Sequence, residues 1–128
     1  MGYYFGALIE STFEDAIDKV TAELKKEGFG IITEIDVKKT LKEKINVEFR
    51  KYQILGACNP SYAYKALLAE NKIGAMLPCN VVVQENEKGL IEVSVIDPVA
   101  SMLAVKNDVL QGIAKTIQGK LQKVIENL

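Results

Sequence analysis

The stretch CNPSYAYKALLAENKIGAMLPCN, Cys58 to Asn80, decides the fold. It holds the only two cysteines of the chain, each beside an asparagine and a proline but in opposite order, Cys58-Asn59-Pro60 and Pro78-Cys79-Asn80. Asn59-Pro60 starts a helix in the favoured way, with an Asx residue as N-cap and proline at the first helical position, where its missing N–H does no harm. That helix ends near Asn71. Tyr52 to Cys58 reads as the strand before it, and a strand from Asn80 follows. Two topologies fit. If the helix is a full crossover between parallel strands, Cys58 ends one strand at the top of the sheet and Cys79 begins the next at the bottom, ~20 Å away. If Lys72 to Pro78, which can span ~23 Å when extended, return the chain to the top, the strands are antiparallel and both thiols share one rim.

Outward from this stretch, Tyr3 to Ile9 lacks a helical period and reads as a strand. Ser11 with Glu14 three residues later makes a capping box. Phe13, Ile17, Val20 and Leu24 then recur at helical spacing, and Gly28 supplies the left-handed stop. Gly30 to Ile35 is a second strand, after which Asp36 caps a short helix whose buried stripe is Val37, Leu41 and Ile45. Downstream, Asn80 to Gln84 and Ile91 to Ile96 form a hairpin. A two-residue loop at Glu87-Lys88 sets Asn86 opposite Gly89 and, counting outward, Cys79 opposite Ile96 and Pro78 opposite Asp97, so that Asp97 lies next to Cys79. Asp97-Pro98 repeats the Asx-Pro start and opens a long C-terminal helix with Leu110, Ile113, Ile117, Leu121, Val124 and Leu128 on one stripe. Val105, Val109 and Ile125 are the residual apolar surface available to a dimer seam. The order β-α-β-α-β-α-β-β-α allows a parallel α/β sheet or an antiparallel α+β sheet, and the hairpin favours a sheet at least partly antiparallel.

At 128 residues the chain is expected to form a single domain, 1–128, burying about two thirds of its unfolded surface. A formal net charge of −1 disfavours nucleic acid, since duplex binding normally needs a basic stripe. The lysine-rich set Lys38, Lys39, Lys42, Lys44, Arg50 and Lys51 is interrupted by Glu43 and Glu48 and reads as a solvated helix face. The N-terminus has no basic n-region, and the longest apolar stretch, Ile73 to Val83, is broken by Pro78 and Asn80, so neither export nor a membrane span is expected. The expected location is cytoplasmic, where two cysteines default to free thiols.

Leu55-Gly56-Ala57-Cys58-Asn59-Pro60, Ala63-Tyr64 and Leu67, Ile73-Gly74, Leu77-Pro78-Cys79-Asn80-Val81-Val82-Val83 and Asp97-Pro98, in that order, resemble the bacterial and archaeal domain-of-unknown-function family numbered 302. The resemblance covers most of the chain. It implies an α+β fold with an antiparallel sheet, related in topology to a single TATA-binding-protein-like repeat with helices on one face, and a homodimer. It implies no established activity. The antiparallel topology it implies selects the arrangement in which the two thiols are neighbours.

The expected site is then the rim formed by Cys58, Asn59, Cys79, Asn80 and Asp97. One reading is a small-ligand site in which backbone N–H groups at the Asn59-Pro60 and Asp97-Pro98 helix starts hold a polar or anionic group. A second is a soft metal such as zinc on Cys58 and Cys79. Closed zinc sites want four ligands, so a dimer would have to bring two cysteine pairs together. No other cofactor is indicated. A third is a thiol-dependent redox or transfer enzyme, since a helix N-terminus after Cys58 favours its thiolate. With no histidine in the chain, Cys-His hydrolysis is excluded. A disulfide, worth ~3 kcal/mol by loop closure, and a non-catalytic interaction scaffold with cysteine as apolar filler complete the alternatives. Tyr62 and Tyr64, two apart on a helix, cannot both face the core; one of them either snorkels at its edge or lines a cleft near the rim.

Overall fold

Five short runs rich in β-branched and aromatic residues form a sheet with one covered face. In the computed structural model, which describes residues 2–128, these runs are β1 (Tyr4–Ile9), β2 (Gly30–Asp36), β3 (Tyr52–Cys58), β4 (Cys79–Glu85) and β5 (Ile91–Ile96). Between them lie helices α1 (Phe13–Lys26), α2 (Val37–Ile45), α3 (Pro60–Ala69), α4 (Pro98–Ser101) and α5 (Asp108–Glu126), with a 3-10 turn at Ile73–Met76. The strand order is β1-β5-β4-β3-β2, and every neighbouring pair is antiparallel. The fold is therefore α+β, and the mixed and parallel alternatives fall away.

One face of the sheet carries Leu55, Val81, Val83, Val93 and Val95, all buried against Ala16, Val20 and Leu24 of α1 and Ile117, Leu121 and Val124 of α5. The other face is open, with Tyr4, Leu8 and Ile35 exposed on it. Helices α3 and α4 pack on α5 around a smaller cluster of Ala66, Ile73, Met102, Leu110 and Ala114.

Helix α1 is capped one residue later than the capping box suggests. The Thr12 hydroxyl accepts from the Asp15 N–H at 3.1 Å, while Ser11 spends its hydroxyl on the Thr12 carbonyl; Thr12 and Asp15 have the same spacing as Ser11 and Glu14 and place Phe13 first in the helix. Its other end is as expected. Gly28 sits at φ +88, and the N–H groups of Gly28 and Phe29 bond back to the carbonyls of Lys25 and Leu24, the Schellman pattern with Phe29 buried near Leu24.

The hairpin register differs by one residue. The Asn86 N–H bonds to the Leu90 carbonyl at 2.8 Å, so the loop is Glu87-Lys88-Gly89, with Gly89 at φ +76 in the left-handed position of a three-residue turn. The Asn86 side chain accepts from the N–H groups of Lys88 and Leu90 and holds that shape. Val81 then pairs with Val95 and Val83 with Val93, and two positions further Cys79 comes opposite Asp97 rather than Ile96.

Two further expectations are corrected. The helix begun at Asp97-Pro98 lasts one turn; α5 starts afresh at Asn107, whose side chain accepts from the Leu110 N–H at 3.1 Å. The stripe on α2 is not buried: Val37 and Leu41 are half-buried and Ile45 is exposed, because α2 packs chiefly on β2 and β3 at the margin of the sheet. Of the three residual apolar residues near the C-terminus, Val105 and Ile125 pack against the two clusters and Val109 is exposed. The lysine-rich face is solvated as expected, with Lys42 paired to Glu48 at 2.8 Å and Lys39 to Glu43 at 3.9 Å. Among the described residues no helix is long and apolar enough to cross a membrane.

Candidate functional site

Because β3 and β4 run antiparallel with Ala57 opposite Cys79, the chain doubles back between them and the two cysteines are neighbours at one end of the sheet. Both are free thiols, Cys58 half-buried and Cys79 buried. They border a cleft of about 280 Å³ at the seam between the two apolar clusters, where Ala57, Cys79 and Ile117 of the larger meet Ala66, Met102 and Ala114 of the smaller. No charged side chain lines it. Tyr62 is the cleft-lining tyrosine, and Tyr64, two residues on, points to solvent at 65% exposure.

The five expected site residues divide. Cys58, Asn59 and Cys79 meet at the cleft. Asn59 does not cap its own helix, since its side chain makes no cap hydrogen bond there. Its Nδ2 donates instead to the Glu27 carbonyl at 3.3 Å, at the C-terminus of α1. Asp97 is 5% exposed and its Oδ1 is committed: it accepts from the Val99 N–H and from Gln118 Nε2, each at 3.0 Å. The start of α4 is thus closed by its own cap, and Pro98 rather than Asp97 reaches the cleft wall. Asn80 is exposed and lies on the open face of the sheet, in a groove with Tyr4 and Tyr52; as the strand neighbour of inward-facing Cys79 it has to point outward.

The thiols differ in chemistry. Burial, and secondarily the adjacent Cys58, push the Cys79 thiol up from 9.0 to about 11, so Cys79 is protonated at neutral pH and is a poor nucleophile and a reluctant metal ligand. Among the described residues no three His, Cys, Asp or Glu side chains gather as a metal-binding group. The two sulfurs alone fall short of a closed zinc shell, and Asp97 Oδ1 is already engaged in two hydrogen bonds.

The walls of the cleft are the part that motif reading misses. Ala63 and Ala66 share one face of α3, one turn apart, and Ala114 lies on α5 opposite. Small side chains where two helices cross leave volume, and that alanine pattern is the signal in the sequence that points to a cavity.

The family model for Domain of unknown function DUF302 matches residues 7–128. The chain belongs to the DUF302 family. Its fold is shared with the crystal structure of an uncharacterized conserved DUF302 protein from Bacillus stearothermophilus, at 24% sequence identity over 99% of this chain and 98% of that chain, with a TM-score of 0.91. No curated protein matches this DUF302 chain.

Proposed function

We propose that this DUF302 domain is a binding module for a small, largely apolar ligand seated in the cleft at the Cys58/Cys79 rim. The observation that carries the reading is the cleft itself: about 280 Å³, just below the ~300–1,000 Å³ usual for ligand pockets, with no charged lining residue. The cysteines contribute soft, polarisable walls. Thiol chemistry on Cys79 is disfavoured because that thiol holds its proton well above neutral pH, and neither thiol has a histidine to serve as base. The free thiols suit the reducing cytoplasm, the compartment we assign.

The neutral fluorophore N-phenyl-1-naphthylamine tests this. Wild-type protein is expected to bind it, and Ala63→Phe, which fills the cleft, to lose binding while keeping its circular dichroism spectrum. Absence of binding, or binding indifferent to the filled cleft, overturns the reading. Stoichiometric zinc uptake in equilibrium dialysis would replace it with a soft-metal site built from the thiols of two copies.

We also propose a homodimer in which a second copy covers the open face of the sheet. Tyr4, Leu8 and Ile35 are large apolar side chains exposed there, and an isologous contact would bury the same residues on both copies. Light scattering should give twice the 14.1 kDa chain mass, and Leu8→Lys should halve it; a monomer at every concentration refutes the arrangement.

A further inference from the structure

Resting on the ligand reading above, we infer that the ligand is a carboxylate with an apolar body, its charged end held by Lys65 and Lys120 beside Tyr62. Tyr62 is a wall of the cleft, and two ammonium groups approach its ring: Lys65 Nζ at 5.4 Å from the centroid and Lys120 Nζ at 5.9 Å. They come from different elements, Lys65 from α3 and Lys120 from α5, the two helices that pack together over the cleft. Among the described residues neither lysine has a carboxylate within ion-pair distance. Two acids tied to rim residues are already engaged: Glu27, whose carbonyl accepts from Asn59, pairs with Lys123 at 3.8 Å, and Asp97, next to Pro98, accepts from Gln118 and its own helix start. The interior of the cleft therefore offers nothing to a charge, while its Tyr62 edge carries two cations with no counterion.

Each ammonium group is drawn to the ring face, and an anion bound at that ring gains from both charges while the ring covers the apolar stem next to it. A small carboxylate completes this arrangement: it accepts charge-assisted hydrogen bonds from both ammonium groups and leaves its hydrocarbon portion to the dry cleft. A neutral ligand uses only the cleft.

Calorimetric titration with 2-naphthoate and its neutral counterpart 2-naphthamide, at low and high salt, tests the inference. The carboxylate is expected to bind about tenfold more tightly at low salt, as one charge-assisted contact supplies, and the preference should shrink in high salt because the lysines are near the surface. In Lys65→Met/Lys120→Met the ratio of the two affinities should fall to near unity, and Lys65→Arg/Lys120→Arg should restore it. Equal binding of both compounds to wild type, or a preference that survives the double methionine variant, overturns the anionic head and leaves the apolar cleft standing. Binding of neither compound overturns the cleft reading itself.

Discussion

The carboxamide of Asn59 caps a helix to which it does not belong: Asn59 Nδ2 donates to the Glu27 carbonyl at 3.3 Å, closing the C-terminus of α1. The contact is possible because the next residue is Gly28, where an added Cβ would stand 3.0 Å from that same Nδ2 and where φ is +88. One residue thus ties the start of α3, at the cleft, to the end of α1. Asn59→Ala should cost about 1 kcal/mol, the usual worth of one hydrogen bond. Gly28→Ala should cost about 1–2 kcal/mol, from the left-handed backbone and the crowded amide. The double variant should cost less than the two together, since removing the Asn59 carboxamide makes room for the new methyl group. Urea denaturation of the four proteins measures this coupling, and strict additivity would mean that the two residues do not feel each other.

Asp97 anchors the other proline turn. Its Oδ1 accepts from the Val99 N–H and from Gln118 Nε2, both at 3.0 Å, and its own N–H reaches the Tyr3 carbonyl at 2.7 Å. It thereby joins the end of β5, the start of α4 and the middle of α5. Asp97→Ala removes a cap and strands a half-buried amide, and should cost about 2–3 kcal/mol. Asp97→Asn keeps a carbonyl acceptor and should cost less than half as much. Thermal unfolding of the two variants checks the order; if both are lost equally, the negative charge rather than the hydrogen-bonding geometry is what matters.

Gly56 lies in β3 opposite Asn80, under the ring of Pro78. A Cβ there would fall against Thr33 Oγ1 and within 2.7 Å of Pro78 Cγ. The Thr33 side chain can turn away, but the proline ring is fixed to the backbone that leads into Cys79. Gly56→Ala should therefore destabilise by about 1–3 kcal/mol, the range for an overfilled site, and should also weaken binding of the neutral fluorophore, because Pro78 borders the cleft. Adding Thr33→Ala should recover only the part due to the hydroxyl. A fully recovered double variant would show that Pro78 imposes no constraint.

Which of these features the sequence discloses depends on how local their causes are. Helix α1 is readable because caps and stops act over three or four residues, and the start of α3 because Pro60 suits the first helical position, although Thr12 and Ser11 are equivalent by spacing and only the first helical position separates them. The hairpin register was within reach of the pattern. Directly opposed residues share a face, and a two-residue loop would set Val81 against Ser94, whereas Glu87-Lys88-Gly89 sets Val81 against Val95. Asn80 was equally legible, because alternation from a buried Cys79 sends it outward. The doubling back before Cys79 was not, since Lys72 to Pro78 reach either end of the sheet; only the family resemblance chose between them. The cleft arises where α3 crosses α5, and no single segment contains the alanines of both.

The thiol of Cys79 should give the protein a basic limb of instability. Its ordinary value of 9.0 rises to about 11 in the folded chain, by burial first and by the neighbouring Cys58 second. The unfolded thiol ionises first, so between these values the unfolded state holds fewer protons and stability falls as pH rises. The contribution is fully present below pH 9 and is lost through about pH 11, on the order of 2 kcal/mol. Other side chains titrate in the same window, so the quantity to follow is the stability difference between wild type and Cys79→Ala by urea denaturation. Wild type should lose ground against the variant from pH 9 to pH 11, and a difference flat across that interval would place the thiol in a far more hydrated setting. Alkylation gives an independent check: half-buried Cys58 should react with iodoacetamide first, and Cys79 only as the pH approaches 11 or the chain unfolds.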